Sequence, residues 1–127
     1  MEKQLKYELS VIFPKMKIYP LSAPDDYAPP YIIYHRDSTV WEKTLDGYTK
    51  NESINYIINV FDRSYDEMLE MREIVEMFLK EMDNSTIGED NDIYVEEVQL
   101  IGVGEIFEKD LKLNRGVVDF ICHIQRR

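Results

Sequence analysis

A single cysteine, Cys122, in 127 residues excludes an internal disulfide and fits a reducing compartment. No apolar run approaches the roughly 18 residues of a membrane span, and Met1 to Lys6 lacks the apolar stretch of a signal peptide. The sequence therefore predicts a protein that stays where it is made, with no membrane partner. Bases are scarce, 15 against 25 acids, for a net charge of −10. The shortage is local: residues 62 to 97 hold 13 acids and three bases, and the remainder of the chain is neutral. Neutralising phosphates takes clustered Lys and Arg, so direct nucleic-acid binding is not expected. Missing too are Gly-x-Ser-x-Gly, a Walker loop and His-Glu-x-x-His. No enzyme activity, cofactor or metal is predicted.

What is present reads as one globular domain over 1–127, with 44% apolar and 31% charged residues. Leu5, Leu9, Ile12, Phe13 and Met16 recur at spacings of three and four, predicting a short N-terminal helix that ends near Pro14. Four prolines between Lys17 and Pro30, with a turn-like Asp25-Asp26, predict an extended strap and not an element of its own. Tyr31 to Arg36 reads as the first strand. Asn51 to Phe61 alternates, with Ile54, Tyr56, Ile58 and Val60 on the better core face.

Between them, Asp46-Gly47 is a turn signal, and the stretch could be a long hairpin with Trp41, Leu45 and Tyr48 near its tip. If it projects, those three side chains form an apolar patch for a partner, and the loop stays mobile until a partner orders it.

Ser64-Tyr-Asp-Glu67 is a capping box, and Tyr65, Met68, Leu69, Val75, Phe78, Leu79 and Met82 sustain a helix over about 65–82. After a polar stretch from Asp83 to Asp92, two more strands follow, Ile93 to Phe107 and Leu113 to Ile124. Gly102-Val-Gly104 suggests a bulge and Lys109-Asp110 a turn. The predicted class is α+β: an antiparallel, roughly four-stranded sheet, the 65–82 helix packed on one face, and the short N-terminal helix.

Apparent chemical motifs fail on inspection. Asp83, Ser85 and Gly88 match three positions of an EF-hand loop, but Ile87 and Tyr94 occupy positions that need oxygen ligands. Cys122 and His123 are consecutive on a strand and point to opposite faces, so they cannot share an ion. Cys122 reads as a core residue, His123 as a surface or edge residue, and His35 as structural.

Taken in order, Ile18-Tyr-Pro-Leu-Ser-Ala-Pro, Pro30-Tyr-Ile-Ile-Tyr, Thr44-Leu-Asp-Gly47, Ile58-Asn-Val-Phe-Asp and Ser64-Tyr-Asp-Glu67 resemble the tail-terminator (tail-completion) proteins of long-tailed bacteriophages and prophages. The resemblance spans essentially the whole chain. It implies a structural protein of the virion's tail-to-head junction, assembled in the host cytoplasm. There a ring, commonly a hexamer, ends tail-tube polymerisation and meets the head connector. The implied partners are copies of itself, the tail tube protein and a head-completion protein.

The resemblance also places partner contacts at the sheet edges and at the loop of Thr44, Leu45, Asp46 and Gly47, which Trp41 and Tyr48 flank as part of the apolar tip read above from the residues themselves. Glu73, Glu76, Glu89, Asp90 and Asp92 are candidates to face a ring channel and repel DNA. The alternative is a cytoplasmic small-molecule-binding or regulatory α/β module, which would require a concave apolar cavity with converging polar groups.

Overall fold

The computed structural model describes residues 1–23 and 28–126. Pro24 and the Asp25-Asp26 turn lie outside the described residues. Two helices and six strands follow in the order α1 (Glu2–Ile12), β1 (Lys17–Pro20), β2 (Tyr31–Thr44), β3 (Gly47–Asp62), α2 (Tyr65–Met82), β4 (Ser85–Ile87), β5 (Ile93–Glu108) and β6 (Leu113–Arg126). No helix among the described residues is long and apolar enough to cross a membrane.

The sheet runs β1-β2-β3-β6-β5-β4 and is mixed: β1 lies parallel to β2, and the remaining neighbours are antiparallel. This corrects the expected four-stranded antiparallel sheet with one long helix; the sheet has six strands and curls into a half-barrel over two helices. Each edge gains a short strand whose sequence conceals it. Lys17–Pro20, expected as a strap, pairs with Tyr31–Tyr34. Proline tolerates that position because it ends an edge strand, where its missing N–H breaks no ladder. Ser85–Ile87, inside the polar stretch expected to be a turn, pairs with Ile93–Val95. Strands of four and three residues are too short to show periodicity.

The first long strand also runs well past Arg36, to Thr44. Asp37 is an extra residue that shifts the pairing with β3, so alternation breaks there and the sequence stops looking like a strand; further out, residues 49–51 of β3 stand against Glu42 alone.

α2 starts where its cap requires: the Ser64 hydroxyl accepts from the Glu67 amide at 3.3 Å. Its buried stripe, Met68, Met71, Val75, Leu79 and Met82, faces the sheet. Gly116 on β6 lets it come close, since a Cβ there would stand 2.8 Å from both Met68 Sδ and Val60 Cγ2. α1 contributes more than the short helix foreseen. Leu5, Leu9 and Phe13 join one core with α2, with Ile54, Tyr56, Ile58 and Val60 of β3, and with Val118, Phe120, Cys122 and Ile124 of β6. It touches both β1 and β4, the two ends of the sheet, so the curl closes around it.

At the N-terminal end of α1, Glu2 makes a two-pronged ion pair with Arg36, at 2.5 and 2.9 Å. Further along, Gln4 donates to Asp92, and Glu8 accepts from the Gly88 amide. The helices thus cover one face of the sheet. On the other face, a small cluster of Tyr31, Phe61 and Leu113 anchors one end.

Candidate functional site

The β2–β3 hairpin outruns its neighbours. β6 pairs with β3 only as far as Asn51, so residues 47–50 and the facing end of β2 extend past the sheet. Four residues at about 3.3 Å each make this a projection of about 13 Å. Thr44 faces Gly47 across a two-residue turn of Leu45 and Asp46. Gly47 adopts φ 115°, a value L residues rarely take, which explains a glycine after Asp46. The Thr44 hydroxyl donates to the Gly47 carbonyl and accepts from the Asp46 amide, both at 3.3 Å. The tip is a paired hairpin, the form that the Asp46-Gly47 turn signal suggested.

Register assigns the tip two chemically distinct faces. Opposite residues in an antiparallel ladder share a face, and Trp41 faces Glu52 while Lys43 faces Tyr48. These four extend the helix-covered side. There Trp41 and Tyr48 line a shallow pocket of about 310 Å³, and the Lys43 ammonium lies 5.1 Å from the Tyr48 ring centroid. Glu52 fixes the indole by accepting from Trp41 Nε1 at 2.8 Å, and Arg126 of β6 grips the same carboxylate at 3.0 Å. On the opposite side Glu42 accepts from Thr49 and Asn51, and these hydrogen bonds hold its carboxyl below the usual carboxylate range. The polar side ties the hairpin together and the aromatic side is left to solvent. Trp41 is 56% exposed, Tyr48 72%, and Leu45 at the turn is fully exposed.

The structure brings Trp41, Thr44, Leu45, Asp46, Gly47 and Tyr48 into this one projection. The acidic candidates remain scattered. Glu73 is exposed on α2, and Glu76 is half-buried one turn from Arg72, 4.0 Å away. Glu89, Asp90 and Asp92 lie in the β4–β5 loop, beside Lys3 and Tyr7 of α1. All five belong to elements on or beside the helix layer.

Two features escaped the sequence reading. Glu52 and Arg126 hold Trp41, yet their partnership depends on strand order, which local sequence does not encode. On β5, Ile101, Val103, Ile106 and Phe107 are exposed, with Leu111 in the following turn. The signal available was an apolar stretch that does not alternate after Gly102. His123, expected at a surface or edge, is half-buried on the central strand β6, its Nδ1 2.7 Å from the Ser53 hydroxyl. Burial pushes the Cys122 thiol up to about 12, consistent with a residue that only packs.

These features define an α+β chain with a curled mixed sheet and a projecting aromatic hairpin. No family model matches the chain, and no curated protein matches it. Among solved structures, it is similar to a chain in the virion of a native gene transfer agent particle. The TM-score is 0.63 with 8% identity, over 92% of this chain and 84% of that one. A second solved chain aligns at TM-score 0.54 with 10% identity, over 99% of this chain and 89% of its own. At such identities the likeness shows a shared fold, and the first neighbour is a component of a gene transfer agent virion.

Proposed function

We propose that this protein is a structural component of a phage or prophage virion, of the tail-terminator kind. Copies form a ring on the head-proximal end of the tail tube, stop its growth and present a surface to the head connector. The fold neighbour from a gene transfer agent virion supports the structural role. The observation that carries the finer reading is the hairpin tip. It exposes Trp41, Leu45 and Tyr48 on a paired ribbon beyond the sheet, with no intramolecular surface to bury them among the described residues. Exposed aromatic anchors on a preformed scaffold bind at low conformational cost.

The tip engages the terminal tube subunits and ends polymerisation by occupying the surface that the next subunit would use. A passage lined by the helix side of the sheet would carry Glu73, Glu76, Glu89, Asp90 and Asp92, whose charge keeps DNA from adhering. A ring with the opposite sheet face inward would remove that role.

Purified protein added to polymerising tail tubes, viewed by electron microscopy, tests the reading. Capped ends and arrested growth are expected, with loss of both in the double variant Trp41→Ala, Leu45→Ala. Tubes that grow unchanged in the presence of the native protein refute it.

A further inference from the structure

The aromatic side of the hairpin tip differs in charge from the rest of the chain. Of the acids near it, Glu42 lies on the opposite side, holding Thr49 and Asn51, and Asp46 sits in the turn. Glu52 shares the aromatic side, but Arg126 balances its carboxylate through two guanidinium nitrogens, both at 3.0 Å. Two lysines are left over. Lys43 faces Tyr48, and its ammonium stands 5.1 Å from that ring's centroid. Lys50 lies between Thr49 and Asn51, whose side chains both turn to Glu42, so alternation puts it on the aromatic side. Both lysines are exposed, and neither has an ion-pair partner among the described residues. In a chain of net charge −10 this patch is cationic at short range. Salt at physiological strength screens exposed charges more than about 8 Å away.

The cleft beside these lysines is apolar. Trp41 and Tyr48 form its walls around about 310 Å³, room for an aliphatic side chain. The indole N–H is already engaged by Glu52 at 2.8 Å, so Trp41 offers a partner ring carbon and calls for no acceptor. An aromatic cleft can also attract a cation, but Lys43 already occupies the Tyr48 ring and repels a second positive charge.

We infer that this cleft takes an aliphatic side chain of a protein partner, flanked on that partner by a carboxylate that pairs with Lys43 or Lys50. The inference rests on the reading of the tip as a partner contact and names the chemistry of what the tip grips. Nucleic acid is the competing occupant, because bases stack on aromatic rings beside basic groups. Two lysines neutralise too few phosphates to hold a strand against the protein's net charge.

Trp41 is the only tryptophan, so its fluorescence reports on this cleft alone. The free protein is titrated with octanoate, an aliphatic chain ending in a carboxylate, and with octylammonium, a chain of equal length ending in a cation. A saturating blue shift of the Trp41 emission is expected, reached at an octanoate concentration lower by about two- to fivefold. The preference should vanish in the double variant Lys43→Met, Lys50→Met while circular dichroism stays native. No shift, equal or reversed preference, or a preference that survives in the double variant overturns the inference. A larger shift with micromolar oligothymidylate also overturns it, in favour of nucleic acid. Tail tubes then separate the cleft's chemistry from its role. Lys43→Glu with Lys50→Glu should lose capping, and Lys43→Arg with Lys50→Arg should keep it. Capping by the glutamate variant would defeat the inference and leave the terminator reading standing. Octanoate preference in a native protein that caps no tubes would do the reverse.

Discussion

Replacing Gly116 by alanine tests whether α2 is seated on β6 as closely as the geometry indicates. Two opposing effects compete. Alanine removes conformational freedom from the unfolded chain, which by itself stabilises by about 0.4–1 kcal/mol. Against this, the new methyl would stand 2.8 Å from Val60 Cγ2 and from Met68 Sδ, and 3.3 Å from Arg72 Cδ. Met68 can turn aside, since its thioether lies near the end of a flexible chain. Val60 is β-branched, fully buried and on the neighbouring central strand, so it can give way only by moving β3. Overpacking of this kind costs about 1–3 kcal/mol.

At the middle of these ranges the clash wins, leaving Gly116→Ala destabilised by about 1.3 kcal/mol, with bounds of about 0 and 2.6 kcal/mol. Urea unfolding should show a lower midpoint at unchanged slope, because the surface exposed on unfolding is the same. Met68→Ala in the same chain should couple with it, so that the double variant loses less than the sum of the two singles. A neutral or stabilised Gly116→Ala, with additive behaviour of the pair, would show that the helix rides higher above the sheet and refute the reasoning.

Ser64→Ala removes the acceptor at the N-terminus of α2 and should cost about 1 kcal/mol in thermal or denaturant unfolding. Trp41→Ala with Leu45→Ala should leave the unfolding midpoint nearly unchanged while abolishing tube capping; a large loss of stability would show that the tip supports the fold. Cys122 should resist thiol reagents in the native protein and react only on unfolding, because burial pushes its thiol up to about 12; rapid native labelling would contradict the packing. Burial raises the Glu2 carboxyl, but the hydrogen bond from Arg36 and nearby positive charge outweigh it and leave a net downward shift. A folded value below the unfolded one adds stability above the unfolded value, lost as pH falls through the folded one. Glu2→Gln should flatten that acid limb of the unfolding profile, and an unaltered limb would exclude the pair as its source.

Local sequence determined the elements with many repeats of one period. The 65–82 helix was legible because its cap and its three-four stripe agree, and the core face of β3 because Ile54 to Val60 alternate cleanly. The hairpin tip was legible as a turn with apolar neighbours, since Asp46-Gly47 carries its own conformational signal.

Tertiary structure decided the rest. β1 and β4 exist because β2 and β5 offer them backbone partners, and three or four residues hold no pattern of their own. The extent of β2 depended on bulges that β3 imposes. Trp41 is held by Glu52 and Arg126 because β6 happens to lie beside β3. Whether the apolar residues of β5 are core or surface depended on how far the neighbouring strands and α2 reach. Propensity and periodicity act over a few residues, whereas strand order, sheet curl and edge exposure are set by contacts between segments far apart in the chain.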